Sequence, residues 1–162
     1  MSGDTGPDGE GPMAWWDDLL ADADDQVAAY EKEGWDAHVL HPGDVTPLDG
    51  AEGDRVGLSI LLPDDEYERV ARTLAAGDAL ERYDVYRTTA AGHVALLLAL
   101  ETGDERAFVC PAYYALDDEA VEGLFTAARS AGTLSVYLRR LDGASVEVTL
   151  DEPSLLAPPA EE

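Results

Sequence analysis

Apolar residues recur along this chain in three rhythms, and each predicts a different element. The first is an unbroken run: residues 94–100 read Val-Ala-Leu-Leu-Leu-Ala-Leu, which suits a strand covered on both faces. Residues 106–114 follow across Gly103-Asp104 and predict the second arm of a hairpin, the expected centre of the sheet. The second rhythm is helical. Trp16, Leu20, Ala23, Val27 and Tyr30 fall at steps of four, three, four and three, so residues 13–33 predict a helix with one apolar stripe. Trp15 and Leu19 widen the stripe, five aspartates crowd the other side, and Gly34 supplies the stop. Trp16, Leu20, Val27 and Tyr30 are expected to be buried against the sheet. The third rhythm is alternation, as in residues 35–40, a half-buried strand.

The remaining elements follow the same signals. Residues 45–48 are expected to pair locally, and residues 55–62 form the next strand. Pro63-Asp64-Asp65-Glu66 opens a helix with Tyr67, Val70, Ala71 and Leu74 on one face and a stop at Gly77; residues 83–88 return as a strand. Asp117-Asp118-Glu119 opens a helix with Val121, Leu124, Phe125 and Ala128 on one face, ending at Gly132. Residues 133–140 and 144–150 form a hairpin over Asp142-Gly143. Together these predict an α+β fold: a mixed, largely antiparallel sheet of six or seven strands, two strand–helix–strand crossovers and an N-terminal covering helix. A two-layer sandwich with the first helix at an edge is the second arrangement. Residues 1–12 are expected to be a flexible leader, 13–150 a single globular domain, and 151–162 a flexible acidic tail.

Charge narrows the partners. Thirty-five acidic residues oppose ten basic ones, for a net charge of −25, and the acids are spread through the helices and strands rather than gathered in a tail. Such a chain repels itself at low ionic strength, and salt near 1 M shortens the Debye length to about 3 Å. Phosphate-backbone binding rests on basic patches, so nucleic acid is not an expected partner. The longest apolar run is far short of the roughly 18 residues a membrane span needs, and no secretory signal opens the chain. A cytoplasmic location is expected, with no membrane contact.

Candidate chemistry is sparse. Cys110 is the single cysteine, so no internal disulfide forms. As a nucleophile it would need His93 or His41 as base, but Phe108 and Val109 before it favour a buried thiol. Asp36, His38, His41 and Asp44 have metal-ligand chemistry, yet alternation along a strand turns such residues apart, and no metal or other cofactor is expected. Lys32 is the only lysine, and no phosphate-binding glycine loop or nucleophile elbow is present. The acids opening the later two helices would repel an anion from their N-termini. What remains is Pro111-Ala112-Tyr113-Tyr114 at a predicted strand end, where open sheets bind ligands. Tyr113 and Tyr114, with His41 and Asp44, are the candidate binding residues, and no catalytic residue is assigned.

Several short stretches carry a resemblance: the Trp-rich acidic first helix, His41-Pro-Gly-Asp-Val45, Leu62-Pro-Asp-Asp-Glu66 and Pro111-Ala-Tyr-Tyr114. Across residues 14–153 the chain resembles a family of small acidic proteins of unknown function from halophilic archaea. That likeness implies a halophilic cytoplasm and carries no activity. The expected function is a non-enzymatic interaction or accessory domain with another protein as partner. The second reading is a small-molecule-binding protein or enzyme with its site near Tyr113 and Tyr114.

Overall fold

The computed structural model describes residues 14–50, 55–74 and 80–158; the expected leader and the stop at Gly77 lie outside them. Among these residues the order is α1 (Ala14–Lys32), β1 (Asp36–Val39), β2 (Asp44–Asp49), β3 (Val56–Leu61), α2 (Asp64–Leu74), β4 (Leu80–Ala90), β5 (His93–Thr102), β6 (Arg106–Ala115), α3 (Glu119–Ala131), β7 (Leu134–Arg139) and β8 (Ser145–Leu150), then a 3-10 turn at Pro153–Leu155. The fold is α+β, with both parallel and antiparallel strand pairs.

The eight strands form two sheets of four, ordered β1-β6-β5-β4 and β2-β3-β7-β8, rather than one sheet of six or seven. Each sheet has one parallel contact, β1 with β6 and β3 with β7, and antiparallel contacts elsewhere. Both helical crossovers therefore change sheets: α2 leads from β3 to β4, and α3 from β6 to β7. The physical reason lies in the side-chain pattern. Leu58-Ser59-Ile60 and Leu134-Ser135-Val136-Tyr137-Leu138 alternate, so β3 and β7 turn Leu58, Ile60, Leu134, Val136 and Leu138 to the apolar core and bury Ser59, Ser135 and Tyr137 on the other face among polar side chains, whereas β5 is apolar on both faces. A sheet buried on both sides cannot accept those serines without partners.

The even-numbered side chains of β5 and β6, from Val94 to Tyr114, share a core with Leu58, Ile60, Val136, Leu138, Val70 of α2 and Leu124 and Phe125 of α3. The odd-numbered Ala95, Leu97 and Val109 lie under Leu19 and Ala23 of α1. The covering helix is thus where its stripe predicts, but turned. Leu19 and Ala23 are buried, Trp16, Val27 and Tyr30 are half-buried at the border, and Leu20 is half-buried outside the cluster. One helical position is a rotation of about 100°, and the sheet surface, not the stripe, selects the centre line. Asp118 caps α3 through the Ala120 N–H (2.9 Å), and Gly132 ends it in the left-handed region. Gly57 of β3 is needed for pairing: a Cβ there would stand 1.8 Å from the Ser135 carbonyl oxygen of β7.

Residues 151–158 are not a free tail. Leu156 is fully buried, the Tyr114 hydroxyl donates to its carbonyl (2.6 Å), and Arg87 donates to the carbonyls of Ser154 and Ala157. The acidic and proline-rich composition concealed the pair Leu155-Leu156, which fills the space beside Tyr114 in the core. No helix among the described residues is long and apolar enough to cross a membrane.

Candidate functional site

Alternation along β6 separates the two tyrosines of the expected site. Tyr113 joins Trp15, Trp16 and His93 in an aromatic cluster on the α1 side, with ring centroids 5.4–6.0 Å from its own. Tyr114 points into the core against Phe125 (5.6 Å), and burial pushes its pKa up. Residues 62–64 do not lie beside either. They follow β3 in the other sheet, where the Leu62 N–H donates to the Arg139 carbonyl.

His41 and Asp44 are also apart in their contacts. Glu66 accepts from the His41 backbone N–H (2.7 Å) and from its Nδ1–H (2.6 Å), while the His41 side chain stays more than half exposed. Glu66, in the first turn of α2, is also a buried anchor for the turn after β1. His41 lines a hollow of about 400 Å³ with Gly43, Leu61, Leu62, Pro63, Asp64 and Leu141, the last 82% exposed. Asp44 accepts from Thr46 and faces Arg139 at 3.8 Å on the outer face of the second sheet.

The Asp36, His38, His41, Asp44 set does not converge. Asp36 pairs with His38 Nε2 at 3.0 Å, while His41 and Asp44 have the separate partners just given. Among the described residues, no three His, Cys, Asp or Glu side chains are grouped to hold a metal ion. Cys110 is fully buried in the core, its thiol near the Pro111 carbonyl. Burial, with the Glu66 carboxylate adding to it, pushes the thiol pKa well up. Neither His93 nor His41 is placed to activate it: His93 Nδ1 meets the Ala91 carbonyl and His41 meets Glu66.

A second cleft went unnoticed in the sequence. Arg69, Arg72 and Thr73 of α2 form one wall, and Asp36, His38, Arg106 and Phe108 at the starts of β1 and β6 form the other, around about 170 Å³. The register Asp36↔Arg106 and His38↔Phe108 aligns the two strands, and the His38 ring stacks on Phe108 at 6.1 Å. The available signal was Arg69 and Arg72 at i, i+3, side by side on one helix face, in a chain with ten basic residues.

These features define a small α+β protein of two mixed four-stranded sheets with a helix laid over one of them. Over residues 7–158 the sequence matches a family model described as a family of unknown function, DUF7529, and the chain belongs to that family. No curated protein and no solved structure matches it.

Proposed function

We propose that this chain is a non-enzymatic interaction domain of a halophilic, archaeal cytoplasm, with another protein as its partner. The observation that carries the reading is the outer face of the second sheet. The first sheet has α1 over its back, whereas on the second Ser59, Ser135 and Tyr137 are buried beneath Arg139, Glu147 and Arg55, and Thr46 and Thr149 are exposed beside them. Their side chains are held in place on that face: Ser135 donates to Glu147 (2.6 Å), Arg139 to Ser59 (2.9 Å), and Arg55 lies over the Tyr137 ring at 5.1 Å. A surface whose side chains are already ordered loses little entropy when a partner docks. The net charge of −25 supports a salt-rich setting, since screening relieves the self-repulsion. The same charge opposes nucleic acid and anionic membrane surfaces.

Thr46 and Thr149 are exposed on this face, so arginine at either adds bulk without entering the core. Size-exclusion of the protein with its native extract in about 2 M KCl, where screening is strong, should give a stoichiometric protein complex that Thr46→Arg and Thr149→Arg abolish. A complex that survives both substitutions refutes the surface. A second reading is favoured by the hollow at His41: a small-molecule site in which Glu66 orients the imidazole. A fragment screen showing saturable binding that Leu141→Asp removes would favour it.

A further inference from the structure

We propose that the cleft between α2 and the starts of β1 and β6 binds a phosphoryl dianion through Arg69, Arg72 and Arg106. With 35 acids in the chain, each guanidinium has abundant opportunity to pair. Arg82, Arg106, Arg139 and Arg140 do so, Arg87 donates to two carbonyls, and Arg55 covers Tyr137. Arg69, Arg72 and the exposed Arg129 of α3 have no such partner among the described residues, and of these only Arg69 and Arg72 share a cleft with a third arginine, Arg106. The ion pair of Arg106 with Asp104 is long, 3.4 Å, and exposed, a contact that costs little to exchange.

A cation in the last turn of a helix answers the helix dipole, which accounts for Arg72. It does not account for Arg69 one turn earlier, nor for Arg106 and His38 lining the same cleft from the first sheet. Asp36, the acid on the cleft wall, is held by His38. Two unpaired guanidinium groups call for a dianion rather than chloride or a single carboxylate, and their planar forks match phosphoryl oxygens in pairs. The volume limits the ligand. About 170 Å³ is the share of five or six waters at about 30 Å³ each, and organic ligands occupy roughly 300–1,000 Å³. The cleft therefore takes one charged group, either free inorganic phosphate or the terminal phosphoryl of a small metabolite whose remainder stays outside.

The test follows arginine Nε–H signals by NMR in about 1 M KCl, where the field of the remote acids is screened, during titration with potassium phosphate and separately with glycerol 3-phosphate. Saturable shifts at Arg69 and Arg72 are expected with at least one of the two. Tighter binding of the metabolite assigns the site to a phosphorylated small molecule, and equal or weaker binding assigns it to inorganic phosphate. Arg72→Gln, at an exposed position, and Arg69→Gln/Arg72→Gln should each weaken binding by about tenfold or more, as loss of a charge-assisted contact predicts. Arg129→Gln, an exposed arginine on α3 away from the cleft, should leave it unchanged. Shifts that never saturate with either compound, or an affinity that Arg72→Gln leaves intact, would overturn the assignment. Equal weakening by Arg129→Gln would do the same, since it reports net charge alone.

Discussion

Tyr114→Phe isolates one hydrogen bond that ties the C-terminal segment to the core. The ring stays in place against Phe125, so packing is conserved and only the hydroxyl is lost. That hydroxyl donates 2.6 Å to the carbonyl of Leu156, and both residues are 2% exposed or less. The substitution strands a buried acceptor, which costs about 1–3 kcal/mol. At roughly 2–4 °C per kcal/mol for a chain of this size, the melting temperature should fall by about 2–12 °C. The loss should also be non-additive. In a chain ending before Asp151 the acceptor is gone, and Tyr114→Phe should then cost much less. A pH arm checks the same contact. Burial raises the folded pKa of Tyr114 above the unfolded value near 10, so its stabilising contribution is complete below about pH 10 and is lost as pH climbs through the folded pKa. Tyr83, shifted to about 12 by burial and its bond to Asp151, has the same sign and window. Alkaline unfolding of Tyr114→Phe should accordingly be shallower than that of the native chain. An unchanged melting temperature, or an equal cost in the shortened chain, would refute the claim that this bond anchors the segment.

Three further outcomes follow from the charge, the helix and the thiol. With a net charge of −25, the melting temperature should rise between about 0.1 M and about 2 M KCl; a thermal melt that does not move removes the halophilic reading. Leu19→Ala should cost about 2–5 kcal/mol in denaturant unfolding, because the side chain is buried between α1 and the first sheet. Leu20→Ala should cost clearly less, and the reverse order would show α1 turned by one position. Cys110 should react slowly with a thiol reagent in the folded protein and quickly in denaturant, since the buried thiol stays protonated; rapid stoichiometric labelling at pH 7 would contradict its burial.

The site was less legible than the elements. Tyr113 and Tyr114 adjoin at a strand end, where open sheets bind ligands. A period of two sends adjacent side chains to opposite faces, so one joined Trp15 and Trp16 and the other entered the core. Glu66 was legible only as an acid at a helix start. Its bond to His41 spans 25 residues and two elements, and no local rule predicts such a meeting. Arg69 and Arg72 gained interest only when Arg106 arrived opposite them from β6.

Local periodicity determined the nature and approximate limits of the elements. The run at 94–100, the helical stripe of α1 and the capped helices α2 and α3 are consequences of which neighbours along the chain can bury a common face. The alternation in β3 and β7 marks strands whose two faces meet different surroundings, apolar core on one side and hydrogen-bonded polar side chains on the other. What tertiary structure alone decided is how those faces are assigned: which strands become partners, that both crossovers change sheets, that Leu19 rather than Leu20 centres α1, and that Leu156 closes the core. Each depends on contacts between distant residues, as between Tyr114 and Leu156, 42 positions apart. Propensity and period act over a few residues. The choice among compatible faces is made by close packing across the whole interior, where a difference of one position decides which surface leaves water.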